Sequence, residues 1–211
     1  MPTDVDAPAD GAGRLPAPRF GYPVVLDLHG VPVLVVGAGR IGARKAEGLV
    51  AAGAVVRLVA TDVSVHVDGV GVAEIRERPF AHEDLDGMRL VVTATGDPAV
   101  DAEVSAAARA RGIWTNAADQ PVDCEFILPA IARSGRVSVA VSTDGASPAL
   151  ARELRNVVAE LLTPELGALA EALAAERAEV QARGESTEDV DWTKRVRDGI
   201  SAATGRRSLT P

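Results

Sequence analysis

The chain has a single cysteine, Cys124, which excludes an intramolecular disulfide and any multi-cysteine metal site and suits a reducing compartment. Aromatic residues are only 3% of the composition and the net charge is -8, so both stacking platforms and phosphate-pairing cations are scarce. A nucleic-acid partner is therefore not expected. No stretch reaches the roughly 18 apolar residues of a membrane-spanning helix, and the apolar stretch Val31 to Val36 stops at a glycine turn. The opening residues carry Asp4, Asp6 and Asp10 among prolines and glycines, not the basic start and apolar run of a signal peptide. The expectation is a cytoplasmic protein with no membrane partner and a mobile leader over residues 1–20. His29, His66 and His82 lie in different segments without partners at ligand spacing, and no metal site is expected.

What is present is a 211-residue chain, 47% hydrophobic, long enough for one substantial core and a smaller second unit. From Tyr22 onward short apolar runs alternate with helical stretches, the pattern of βα units feeding a parallel sheet. Strands are expected at Val31–Val36, Val55–Ala60, Gly71–Arg76, Arg89–Thr93 and Ile113–Asn116. Helices are expected at Ile41–Ala52 and Val100–Arg111, each followed by a glycine suited to a helix C-terminus. The fold class is thus α/β, a Rossmann-like doubly wound parallel sheet. Beyond it, Phe126–Ala132 and Arg136–Ser142 read as a β-hairpin around Arg133-Ser134-Gly135. Ser147-Pro148 then reads as an N-cap with proline at the first helical position, opening a C-terminal helical unit to about Arg183 and a last short helix over Asp191–Ala203.

Two segments carry chemistry. The turn Gly37-Ala38-Gly39-Arg40-Ile41-Gly42 follows a strand and opens a helix, and each glycine has a reason. Gly37 permits the tight turn, Gly39 lets backbone approach a pyrophosphate, and Gly42 allows close helix–strand packing, while the helix N-terminus offers its free N–H groups to phosphate. The acid that usually holds the adenosine ribose is missing from the end of the second strand, where Val59 and Ala60 stand. Two roles fit Asp62 in the following Thr61-Asp62, a reach to the ribose or a turn former. NAD is the expected cofactor, with NAD against NADP left open by these residues. Arg40 is suited to pairing with phosphate, whereas Arg57 within a strand is expected to face solvent.

The second segment, Asn116 to Ala130, leaves the C-terminal end of a parallel strand, the edge along which such sheets place ligands. Asp119 there can accept a proton while a nicotinamide accepts hydride, and it equally suits a turn before Gln120-Pro121. Cys124 reads as a small buried hydrophobe rather than a nucleophile.

Taken together, Val33–Gly39 with Arg44-Lys45, Asn116–Pro129, and Ser142-Thr143-Asp144-Gly145-Ala146-Ser147-Pro148-Ala149-Leu150-Ala151-Arg152 resemble the precorrin-2 dehydrogenase family, the dehydrogenase/ferrochelatase module of sirohaem synthases. The resemblance runs in order from about Tyr22 to Leu162. It implies NAD-dependent oxidation of precorrin-2 to sirohydrochlorin, often with a second activity inserting ferrous or cobaltous ion. The family aspartate required for both falls on Asp119. The resemblance extends the cofactor set beyond Gly37, Gly39 and Gly42 to Arg40, Ile41, Thr61 and Asp62, and Thr93 and Thr95 complete it. A tetrapyrrole substrate is assigned to Asn116, Ser142, Thr143, Ser147, Arg152 and Arg155, the two arginines as partners for its carboxylates. The resemblance also implies a homodimer, with residues 21–117 as the NAD-binding domain, 118–148 as a dimerisation and active-site segment, and 149–211 as the helical domain. The chain departs from the family in Ala117-Ala118, where bulkier apolar residues are common, and in Asp144-Gly145, where a glycine pair is usual. Its length leaves no room for the methyltransferase domain of the fused enzymes, so the substrate is expected from another protein.

Two other classes compete. A non-catalytic NAD(H)-sensing module gating a partner protein has no need of a carboxylate at Asp119. An ordinary small-substrate dehydrogenase commonly needs a Tyr-Lys or His-carboxylate pair, yet the one tyrosine, Tyr22, precedes the sheet.

Overall fold

A computed structural model describes residues 18–205. The elements run β1 (Pro32–Ala38), α1 (Arg40–Ala51), β2 (Val55–Val63), β3 (Glu74–Glu77), β4 (Leu90–Thr93), α2 (Pro98–Arg109), β5 (Trp114–Ala117), β6 (Ala130–Ser134), β7 (Val137–Val141), α3 (Pro148–Ala159), α4 (Pro164–Ala182) and α5 (Thr193–Thr204). The first five strands form a parallel sheet in the order β3-β2-β1-β4-β5. This is the expected doubly wound arrangement, and strand order reverses between β1 and β4, where such sheets open a crevice at their C-terminal ends.

Alternation along β1 builds the two core layers. Val33 and Val35 pack with Ala43, Ala46 and Leu49 of α1, while Leu34 and Val36 pack with Val104, Ala107 and Ala108 of α2. A strand buried on both faces needs a continuous apolar run, which Val33–Val36 supplies. The small residues on α1 and α2 let each helix lie close to the sheet. Asp97 caps α2 by accepting from the Ala99 N–H, and Pro98 takes its first position.

Three local expectations change. Arg57 does not face solvent: half-buried, it donates to Glu74 at 2.6 Å and to the Asp84 carbonyl at 3.3 Å, because β3 and the following turn cover that edge. The hairpin is shorter than expected. Phe126 packs on the first core layer and its carbonyl accepts from Asn116, so this part of the apolar run belongs to the sheet domain, and Pro129 has no N–H to donate to a ladder. β6 and β7 pair antiparallel with Ser134 opposite Val137, which leaves a two-residue turn at Gly135-Arg136, with Gly135 at φ +54°. The helical unit is also divided. Thr163-Pro164 repeats the Ser147-Pro148 signature, the threonine side chain accepting from the Leu166 N–H, and so starts α4 as a separate helix.

Of the leader expected over residues 1–20, the first 17 residues lie outside the described part. Arg19 and Phe20 are held against the fold by hydrogen bonds. α3 packs on the β6–β7 hairpin and α5 packs on α4. Among the described residues no helix is long and apolar enough to cross a membrane.

Candidate active site

The glycine turn has the geometry its sequence requires. Gly37 sits at φ +103°, and a Cβ there would lie 2.3 Å from the Ala94 carbonyl oxygen. A Cβ on Gly42 would lie 2.0 Å from the Gly37 carbonyl oxygen, so the first turn of α1 closes directly onto the end of β1. Gly39 is different, since a Cβ there would meet nothing within 4 Å. It is exposed and borders open space. No side chain caps α1 and no acid stands in its first turn, so the N–H groups and the positive end of the helix dipole remain available to an anion. The turn thus fits a pyrophosphate.

That open space is a cavity of about 460 Å³ lined by Gly39, Arg40 and Ile41 from the turn, Ala94, Thr95 and Gly96 after β4, Pro98 and Asp101 of α2, and Ala118, Asp119 and Gln120 after β5. The segments following β1, β4 and β5 converge there because parallel strands release their chains at the same edge. Thr61 and Asp62 lie exposed on an extension of β2 that runs beside the turn, Ala38 pairing with Val63. Asp62 is therefore on a strand end rather than in a turn.

Asp119 is exposed on the cavity wall in the left-handed region, φ +59°, a conformation that aspartate tolerates better than most residues. Close to it stands a carboxylate that the sequence did not single out. Asp101 is 3% exposed. It accepts from the Thr93 hydroxyl, from the Thr95 hydroxyl at 2.8 Å and N–H at 3.1 Å, and from Gln120 Nε2 at 3.3 Å. One buried carboxylate thus ties the β4 loop to the residue next to Asp119. Its only signal in sequence was an acid in the first turn of a helix that opens on Asp97-Pro98.

Behind Asp119, Lys45 of α1 donates from Nζ to Asn116 Oδ1 at 2.7 Å. Burial lowers the Lys45 pKa from its ordinary value, against the opposing pull of Cys124 and Asp119. Asn116 is itself buried, its Nδ2 donating to the Phe126 carbonyl at 3.0 Å, so both ends of its amide are engaged with protein. Cys124 is 3% exposed and burial pushes its thiol pKa up, which agrees with a buried, unreactive side chain. Its sulfur accepts from the Ala117 N–H at 3.2 Å and so pins the end of β5.

The remaining expected residues gather beyond β7. Ser142 is exposed and its Oγ accepts from the Asp144 N–H at 3.1 Å. Thr143 Oγ1 accepts from the Ser147 N–H at 3.1 Å and donates to the Ser147 carbonyl at 3.0 Å. Ser147 caps α3 by accepting from the Leu150 N–H at 3.2 Å. Arg152 is exposed on α3. Arg155 is half-buried, and among the described residues no group accepts from its Nε. None of these side chains lines the cavity beside the turn. Among the described residues no three His, Cys, Asp or Glu side chains cluster as a metal site.

Comparison with known proteins places this geometry. An NAD(P)-binding family matches residues 24–130, and a sirohaem biosynthesis protein central family matches residues 135–161. The chain is 41% identical over 188 residues to a siroheme synthase of Methylococcus capsulatus, covering 88% of this chain and 36% of the relative. It is 40% identical over 164 residues to siroheme synthase 1 of Serratia proteamaculans, covering 76% of this chain and 34% of the relative. The chain therefore spans about a third of the length of these relatives. Among solved structures it is similar to SirC, a precorrin-2 dehydrogenase, at 26% identity and a TM-score of 0.65, covering 88% of this chain and all of that one.

Proposed function

The chain belongs to the precorrin-2 dehydrogenase family, the NAD(P)-binding module of sirohaem synthases, and from that premise we propose that it oxidises precorrin-2 to sirohydrochlorin with NAD in the cytoplasm. The observation that carries the proposal is the convergence of the glycine turn and Asp119 on one cavity. A nucleotide sensor has no use for a carboxylate at that wall.

The oxidation removes two hydrogens from the macrocycle. NAD, when bound on the turn, supplies the acceptor for one of them as hydride. Asp119 accepts the other as a proton and passes it to the solvent to which it is exposed. Gln120, tethered to Asp101, and Lys45 behind the strand end hold the Asp119 turn in place. Thr95, with its N–H and hydroxyl both committed to Asp101, forms the opposite wall. Arg40 and the free N–H groups of α1 are the anion partners for the dinucleotide.

The substrate carries many carboxylates, which a protein of net charge -8 repels unless cations gather locally. Arg152 and Arg155 on α3 are the proposed partners, and the buried Nε of Arg155, without an acceptor among the described residues, supports this, since a half-buried guanidinium gains most from a carboxylate. Ser142, Thr143 and Ser147 present the adjoining polar loop. The hairpin and α3 are proposed to form a homodimer interface beside this surface. Leu150, Leu154 and Val157 support it, lying exposed at helical spacing along α3. For insertion of ferrous or cobaltous ion into the product, the macrocycle nitrogens are the final ligands and Asp119 is the group that takes up their protons.

Purified chain given precorrin-2 and NAD is expected to generate NADH and sirohydrochlorin. Absence of both products overturns the proposal. Sedimentation tests the dimer, and a sirohydrochlorin assay with each metal ion tests insertion.

A further inference from the structure

The Asp119 turn and the 142–147 loop belong to different units of the fold, and between them the pairing among principal elements is sparse. One residue bridges them. The Arg19 guanidinium donates to the carbonyls of Pro121 at 2.7 Å, Val122 at 3.2 Å and Cys124 at 2.9 Å. These carbonyls belong to the single 3-10 turn Pro121–Asp123 and the residue that ends it, immediately after Asp119. The Pro121 carbonyl also accepts from the Cys124 N–H at 3.2 Å, and the planar fork of N–H groups serves the carbonyls that the end of such a turn leaves open.

The backbone of the same segment holds the other side. The N–H groups of Arg19 and Phe20 donate to the two carboxylate oxygens of Asp144, at 2.9 and 2.8 Å. Asp144 sits at φ +55°, where a glycine serves at less cost, and its side chain repays the strain by gripping this segment. The Arg19 guanidinium also lies over the Phe20 ring, 5.0 Å from its centre, which fixes the direction of the side chain.

We propose that Arg19 is a positioning residue, and that with Asp144 it forms a clamp setting the Asp119 turn and the substrate loop at a fixed separation. The inference rests on the proposed function for its catalytic consequence, but the clamp itself is testable without turnover. Among the described residues Arg19 makes no hydrogen bond to the glycine turn or to Asp119, so its effect reaches the reaction only through geometry. Displacing a positioned group by about 1 Å costs on the order of a hundredfold in rate.

The test uses the full chain with Arg19→Ala, Arg19→Lys and Asp144→Gly, read by amide hydrogen exchange and by steady-state kinetics. Arg19→Ala is expected to speed exchange at both 120–125 and 142–147, to leave NAD affinity unchanged, and to lower kcat/KM for precorrin-2 by about tenfold or more. Arg19→Lys keeps the charge but loses the fork, so partial recovery is expected. Asp144→Gly is expected to free only the 142–147 loop. Unchanged exchange at either segment in Arg19→Ala overturns the clamp whatever the activity. If exchange rises as expected but the wild-type chain does not oxidise precorrin-2, the clamp stands and the functional reading falls.

Discussion

Replacing Asp119 by asparagine isolates its proposed role as proton acceptor from everything else that residue does. The backbone there is left-handed, φ +59°, and asparagine shares the tolerance of aspartate for that region, whereas alanine adds about 1 kcal/mol of strain. The side chain is exposed, so neither substitution empties a packed site. A positioned general base contributes about 10² to 10⁴ in rate, roughly 3 to 5 kcal/mol of barrier. Asp119→Asn is therefore expected to lower kcat by that factor while the urea midpoint and the NAD dissociation constant stay at wild-type values. Asp119→Ala is expected to lose as much turnover and some stability besides. NADH formation with precorrin-2 measures kcat, urea unfolding gives the midpoint, and a fluorescence titration with NAD gives the dissociation constant. Near-wild-type turnover in Asp119→Asn refutes the assignment. A parallel loss of NAD affinity makes Asp119 a cofactor ligand instead.

The turn itself is tested by Gly42→Ala, whose Cβ would lie 2.0 Å from backbone that cannot yield; a loss of about 1–3 kcal/mol and of NAD binding is expected in thermal melts and titration. Gly48→Ala, on the same helix with nothing within 4 Å of the added atom, is the control and should stabilise by about 0.5–1 kcal/mol. Asp84 is fully buried, and although burial raises its pKa, the hydrogen bonds from Arg78, the Ala81 N–H and Arg76 outweigh this and leave it below the ordinary value. Its contribution to stability is complete above the unfolded aspartate pKa of about 4 and is lost as pH falls through the lower folded value. Urea midpoints followed into acid should therefore fall less steeply in Asp84→Asn, and an unchanged acid limb counts against it. Arg152→Ala with Arg155→Ala should raise the KM for precorrin-2 about tenfold with little change in NAD affinity, and an unchanged KM removes them from the substrate site.

Much of the fold was legible because it depends on short-range chemistry. The period of apolar residues, the glycines that end helices and the Ser147-Pro148 cap each act over a few residues, and the strands and helices fell within a few positions of where that chemistry put them. The hairpin is shorter than its apolar run because apolar character alone does not say which core a run joins. Phe126 is as apolar as the residues of β6, yet it packs on the sheet domain. Arg57 departs from expectation for a related reason: alternation along a strand says which way a side chain points, but not that Glu74 and Asp84 will arrive to cover it.

By itself, the sequence determined the parallel sheet, the glycine turn and the edge to which Asp119 belongs, since strands joined through helices run parallel and turn geometry follows from local backbone preferences. Only the tertiary structure decided which side chains stand around them. Lys45 meets Asn116 across 71 residues and Arg19 meets Asp144 across 125. Contacts at such separations arise from the packing of whole elements, and no local pattern encodes them.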